Sequence, residues 1–370
     1  MRLTRDLSLS LLTTGTCRID FEVWMRTGVV IVGKDLSEGW PLRPRMTTPK
    51  RRVLRISPRD IDEARKRLKG LVVRTPLISL NLEDSPADIY LKLENLQPTG
   101  SFKVRGAGNV IELLSPEERA RGVYTISAGN MAQALAWHAH RYGIPCTAIV
   151  PDTAAETKLA GIRRFGADII QLGFEEGWKV VTAHTYSPLK DRTFIHPFSN
   201  SQMIAGNGTI GLEILEDLPD VDSVIVPFGG GGLFAGIAIA IKARRSETKM
   251  FACEPESAAT LAASLAAGSP QHVERIPSFV DGTGESDVLP EMWDLVRPLA
   301  AGSLVVSLRE IASAVRLLFE RHRIVAEGSG ASSLAAALSG KAGTGPVVCV
   351  VSGGNIDASK LKKILDGGVP

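Results

Sequence analysis

No two cysteines in this sequence stand at a spacing that would hold zinc or run redox chemistry. The four present, Cys17, Cys146, Cys253 and Cys349, are scattered through 370 residues. Reduced thiols in a cytoplasmic protein are therefore expected. No apolar run approaches the roughly 18 residues a membrane span needs, so a membrane is not an expected partner. Charge of one sign is also scarce. There are 43 Lys and Arg against 40 Asp and Glu, a net +3, which gives no reason to expect nucleic acid. Internal repeats and low-complexity tracts are absent. The opening Met1-Arg2-Leu3-Thr4-Arg5 imitates the charged start of a signal peptide. Asp6 interrupts it and the following apolar stretch is short and rich in Ser and Thr, so no signal peptide is expected. What is present, 44% hydrophobic and 22% charged residues, suits a globular chain with one large core or two moderate ones.

Residues 1–52 read as an N-terminal extension. They lack a clean period and run into Pro41-Leu42-Arg43-Pro44-Arg45 before Met46, a second possible start. Disorder and an arm packing on a partner subunit through Trp24 and Trp40 both stay open. The cluster Arg43, Arg45, Lys50, Arg51, Arg52 reads as a solvated tail. From Ser57 the signals sharpen: a capping serine, Pro58 in the first turn and Asp60 three residues on. Ile61, Ala64, Leu68 and Leu71 follow at helical spacing. Short apolar strands are then expected over 88–93, 122–127, 145–151, 167–172, 192–197, 223–228, 249–254 and 346–352. Helices are expected between them, at 131–140, 159–165, 178–186, 204–218, 233–244, 311–322 and 358–365, with one more after Gly328. Strand–helix alternation with continuous apolar strands predicts an α/β protein with parallel, doubly covered sheets.

The most informative residue is Lys103, in Pro98-Thr99-Gly100-Ser101-Phe102-Lys103-Val104-Arg105-Gly106-Ala107. A lysine is usually a solvated surface point. This one follows an aromatic residue at the start of a predicted helix, where partial desolvation would lower its pKa and make a nucleophilic amine. A second segment, Val224 to Phe228 followed by Gly229-Gly230-Gly231-Gly232-Leu233, is a buried strand, four glycines and a helix start. Converging backbone N–H groups and the helix N-terminus there suit a phosphate. The same window satisfies the dinucleotide fingerprint G-x-G-x-x-A at Gly230, Gly232 and Ala235, with Glu254 closing the next strand. On that window alone, a nicotinamide dinucleotide and another phosphate compete evenly.

Two further segments decide between them. Ser127-Ala128-Gly129-Asn130-Met131 ends a strand and opens a helix, so its amides suit a carboxylate and Asn130 can donate to a phenolate-like oxygen. Taken singly it is an ordinary helix cap. Ser352-Gly353-Gly354-Asn355 puts a hydroxyl at a sheet's carboxyl edge, where ligands bind in open α/β folds; singly, it is a plain turn. An amine nucleophile, a phosphate cradle, a carboxylate loop and an edge hydroxyl together describe a pyridoxal-phosphate site for an amino acid. A nicotinamide cofactor has no use for the amine.

On these segments, with His196-Pro197, Ala205 to Ile210 and Glu327-Gly328, the chain resembles fold-type II pyridoxal-phosphate enzymes of the threonine/serine dehydratase and serine racemase group. The resemblance covers about residues 53–370. It implies two doubly wound open-sheet domains: a large cofactor-binding domain of residues 53–123 and 200–370, and a small substrate-loop domain of residues 124–199. It implies that Lys103 forms the Schiff base with pyridoxal 5′-phosphate and takes the Cα proton. Phe102, Asn130, Gly229, Gly230, Gly231, Gly232, Leu233, Glu327 and Ser352 would bind the cofactor, with Asn130 at its 3′ oxygen and Ser352 at its pyridine nitrogen. Ser127, Asn130, Met131 and Asp281 would face the substrate. A homodimer acting on a small amino acid is implied as well.

The chain also departs from that family's pattern. Ala128 stands where a serine would supply the second-face proton for racemisation, which favours elimination. Met131 replaces a common histidine and makes the side-chain pocket more apolar. Glu254 and Ala258 fall where relatives place a cation, but Thr260 replaces the partner acid, which disfavours a divalent ion and leaves a monovalent ion and no ion open. Asp281-Gly282 fits, whereas Gly284-Glu285-Ser286 does not. His138 and His140 lie two apart on a helix and make a poor metal pair, so packing or solvent exposure is expected for them. The expected activity is β-elimination of an L-β-hydroxy amino acid such as serine or threonine to a 2-oxo acid and ammonia. An amino-acid racemase is the alternative, ahead of a nicotinamide oxidoreductase or a non-catalytic cofactor-binding protein.

Overall fold

The computed structural model describes residues 52–370. The expectations for Cys17, Trp24, Trp40, Met46 and nearly all of the 1–52 extension lie outside the described residues. The helices and strands run in this order: α1 Pro58–Leu68, β1 Leu77–Ser79, β2 Ile89–Lys92, α2 Lys103–Glu112, α3 Pro116–Arg121, β3 Val123–Ile126, α4 Asn130–Tyr142, β4 Cys146–Pro151. They continue with α5 Glu156–Arg163, β5 Asp168–Leu172, α6 Phe174–Ala183, β6 Thr193–Phe194, α7 Ser201–Asp217, β7 Ser223–Pro227, α8 Gly232–Lys242 and β8 Lys249–Pro255. The last are α9 Thr260–Ala267, α10 Pro290–Val296, β9 Gly302–Val306, α11 Leu308–His322, α12 Gly328–Leu338, β10 Val347–Val350 and α13 Ala358–Leu365.

The strands form two sheets. One has six strands in the order β1-β2-β10-β7-β8-β9, and the other has four in the order β5-β4-β3-β6. All neighbours pair in parallel except β1 with β2. That antiparallel edge departs from the all-parallel expectation. β1 is a three-residue, partly exposed strand, too short to show the continuous apolar run by which a parallel strand is read. The central strands β7 and β10 are buried at every residue. Alternate side chains go to opposite faces: Ile225, Val347 and Cys349 pack toward α11 and α12, while Val224, Val226, Val348 and Val350 pack toward α7 and α8. The α/β fold of two open, helix-covered sheets is therefore as expected.

Local chemistry sets several boundaries. Ser57 caps α1 with a reciprocal capping box to Asp60, and Pro58 opens it. The helix expected over 178–186 is α6; it starts earlier, at Phe174, and stops before His184, which sits at φ 56. Helix α2, which Lys103 opens, shares a core with α4 and the four-stranded sheet through Val104, Ala107 and Ile111.

Candidate active site

Strands β3, β7 and β10 stop at the same kind of edge, each followed by one of the three turn motifs. A cavity of about 650 Å³ lies there. Every residue expected to contact cofactor or substrate lines it: Phe102, Lys103, Ser127, Asn130, Met131, Gly229, Gly230, Gly231, Gly232, Leu233, Asp281, Glu327 and Ser352. Segments more than two hundred residues apart in sequence thus share one wall.

Lys103 is fixed by the chain on both sides. The Phe102 N–H donates to the Ser352 carbonyl at 3.0 Å, and the Gly354 N–H donates to the Gly100 carbonyl at 2.9 Å. These bonds zip the turn before Lys103 onto the loop after β10. Within the first turn of α2, Arg105 is 1% exposed and meets two carboxylates. Its Nε donates to Glu94 Oε2 at 2.8 Å and its Nη1 to Glu213 Oε1 at 2.7 Å. Lys92 Nζ joins the cluster at 2.7 Å from Glu213 Oε2. His138 packs as expected, buried, with Nε2 2.8 Å from the Val104 carbonyl. The Lys103 Nζ donates to the Pro197 carbonyl at 2.6 Å and lies 5.2 Å from the Phe102 ring centre. Enclosure by protein lowers its pKa to about 8, while the carboxylates of Glu285 and then Glu327 pull it back up.

The glycine run has the form of an anion cradle. Gly231 sits at φ 86 before α8, a conformation that side chains rarely adopt. A Cβ on Gly230 would lie 2.1 Å from Phe198 Cγ, so the loop admits only glycine there. The amides of Gly229 to Gly232 make no backbone hydrogen bond among the described residues. They remain free beside the positive end of α8.

Opposite the cradle runs a chain of amides and acids. Asn355 Nδ2 donates to Asn130 Oδ1 at 2.7 Å, and Asn130 Nδ2 donates to Glu327 Oε1 at 2.7 Å. Burial raises the Glu327 pKa to about 7, and the Asn130 bond works against it. Ser127 Oγ accepts from the Gly129 N–H at 3.1 Å, which shapes the turn that aims the α4 N-terminus inward. Ser352 is 3% exposed. Asp281 stands at the mouth, 2.5 Å from Lys158 Nζ and 3.3 Å from Lys360 Nζ.

Glu254 and Ala258 do not line this cavity. The Glu254 carboxylate accepts from the Leu261 and Ala262 N–H groups at 2.7 and 2.8 Å and from Ser303 Oγ at 2.6 Å. It caps α9 from the neighbouring strand. Among the described residues no group of three or more His, Cys, Asp or Glu could hold a metal. Asn355 and Glu285 are among the cavity residues to which the sequence alone assigns no role. The only signal for Glu285 is the break in pattern after Asp281-Gly282.

Comparison with known proteins agrees with this geometry. A family model described as pyridoxal-phosphate dependent enzyme matches residues 68–353. The L-threonine ammonia-lyase of Thermotoga maritima is 42% identical over 318 residues, covering 84% of this chain and 78% of that protein. The catabolic L-threonine dehydratase TdcB of Escherichia coli is 37% identical over 311 residues, covering 82% of this chain and 94% of its own. Among solved structures, maize serine racemase superposes with a TM-score of 0.74 at 32% identity, covering 84% of this chain and 97% of that one.

Proposed function

Because the chain belongs to the pyridoxal-phosphate-dependent enzyme family, we propose that its cavity binds that cofactor and that the protein is an ammonia-lyase. It removes the β-hydroxyl and amino groups of L-threonine or L-serine, giving a 2-oxo acid and ammonia. The observation that carries this reading is Lys103: an enclosed amine, lowered to about 8, in the same cavity as a glycine cradle with free amides. The residues present fit the cofactor. The amides of Gly229 to Gly232 and the α8 N-terminus hold a phosphate, Ser352 gives a hydroxyl at the β10 edge, and Asn130 donates on the opposite wall. When bound, pyridoxal phosphate supplies an electron sink for the pair left at Cα.

The chain supplies the rest. Ser127, Asn130 and Met131 at the α4 N-terminus hold the substrate carboxylate. The Lys103 amine takes the proton from Cα and, by its position on α2, serves one face only. Ser352 would present a neutral hydroxyl, rather than a carboxylate, to the ring nitrogen of bound cofactor, an arrangement that would favour β-elimination over return of a proton to Cα. Ala128, which lines the cavity, offers no acid for the other face, and this separates the lyase from a racemase.

The proposed division places cofactor binding in residues 53–123 and 200–370 and the substrate loop in residues 124–199, supported by the two separate sheets. A cytoplasmic homodimer completes the reading. Unpaired Cys146, Cys253 and Cys349 support the compartment, and a stable monomer on ultracentrifugation would remove the dimer.

Borohydride reduction of the purified protein tests the cofactor assignment. The reduced cofactor is expected on the peptide carrying Lys103, and Lys103→Ala should abolish both the visible absorbance and turnover. Label on another lysine would overturn the assignment.

A further inference from the structure

Glu285 is a carboxylate that the reaction described above does not use. It lines the same cavity as Lys103, and among the carboxylates it acts most strongly on that amine, ahead of Glu327. Among the described residues its carboxylate makes no ion pair or hydrogen bond. Arg275, an exposed side chain on the same cavity wall, and Lys103 are the cations that influence it, and Asp287 is the neighbouring anion.

Its backbone is anchored rather than loose. Thr260 Oγ1 donates to the Glu285 carbonyl, and the Val273 N–H donates to the Ser286 carbonyl at 2.9 Å. Gly284 turns the chain at φ 89, where a Cβ would lie only 3.0 Å from Ala258 Cβ. Thr260 and Gly284-Glu285-Ser286 are two of the places where this chain leaves the family pattern, and they meet in one hydrogen bond.

Burial raises the Glu285 pKa while Arg275 and Lys103 act on it without a hydrogen bond, so a ligand that brings a donor would offset the cost of enclosing the carboxylate. The cofactor phosphate and the substrate carboxylate are both anions, and neither complements it. The substrate's α-amino group reacts at the cofactor in the lyase reading, which leaves the substrate's side chain. We propose that Glu285 is the specificity-determining residue for that side chain. It favours L-amino acids whose side chain presents a hydrogen-bond donor and excludes those whose side chain carries a second carboxylate. Like charges in an enclosed site repel, and selectivity is often built from such a repulsive element.

The inference rests on the lyase reading, and one set of measurements separates the two. The holoenzyme, Glu285→Gln and Glu285→Ser are each assayed for 2-oxo acid release from L-serine, L-threonine and L-threo-3-hydroxyaspartate. L-Aspartate, which has no β-hydroxyl to lose, is titrated into each while the visible band is followed, giving a dissociation constant independent of turnover. Loss of the charge should reduce the preference for L-serine over the hydroxyaspartate about tenfold, mainly through KM, and tighten L-aspartate by a similar factor. A purely structural role for Glu285 would change all substrates alike. An unaltered preference and unaltered L-aspartate affinity in variants that still turn over L-serine would overturn the inference alone. An unmodified protein that releases 2-oxo acid from none of the three substrates would overturn the lyase reading and this inference with it. Should Glu285→Gln lose cofactor, Glu285→Ser decides.

Discussion

Lys103 shows how one side chain acquires chemistry from its surroundings. At pH 8 an ordinary lysine is neutral in only about 0.4% of molecules. With its pKa lowered to about 8, about half of the Lys103 amines are neutral at that pH. The neutral form is the reactive one, so lowering the pKa brings reactivity to lower pH. Covalent capture of a small aldehyde by the cofactor-free protein should therefore rise with pH around a midpoint near 8. Mass spectrometry of the borohydride-trapped adduct on the Lys103 peptide measures it, and a midpoint near the ordinary lysine value would contradict an enclosed amine. Ala128 governs a different outcome. Racemisation needs a second acid on the far face of Cα, so Ala128→Ser should raise the fraction of D-serine formed from L-serine, read by chiral chromatography. An unchanged fraction would mean that another group controls the second face. Lys103 was legible in sequence because its whole setting, Pro98 to Ala107, is local. Glu285 was not, because its placement depends on Thr260 and Gly284, whose contacts exist only in the folded chain.

At the scale of elements, α2 is held by charge as well as by packing. Arg105 ties α2 to α7 through Glu213 and to the turn after β2 through Glu94. Removing the guanidinium would leave two buried carboxylates facing each other with only Lys92 near. Arg105→Met should lower the unfolding free energy by about 3–5 kcal/mol, as broken buried pairs do. Urea unfolding followed by circular dichroism measures this, and a loss below about 1 kcal/mol, typical of surface pairs, would show that the cluster does not anchor the helix. The capped and strongly apolar elements, α1, β7, α8 and β10, were legible from caps and apolar runs. β9 was not, because most of its residues are only partly buried and its run is weak. α9, for which the sequence gives no expectation, was hidden for another reason: its cap is Glu254, a side chain from the neighbouring strand.

For the whole molecule, the two sheets bring three strand ends and the α2 N-terminus around one cavity, and its mouth is bridged by Asp281 with Lys158 on α5 and Lys360 on α13. The order of strands and helices made the α/β class and the motif positions readable from the chain alone. The pairing that makes them one site, such as Phe102 to Ser352 and Asn355 to Asn130, joins residues more than two hundred positions apart, which no local pattern encodes. The central claim is that this assembly eliminates rather than racemises. The most direct test incubates the unmodified holoenzyme with L-threonine and with L-serine and quantifies 2-oxo acid, ammonia and D-amino acid in the same sample. The account predicts equal amounts of 2-oxo acid and ammonia with little D-isomer; D-amino acid accumulating without 2-oxo acid would contradict it.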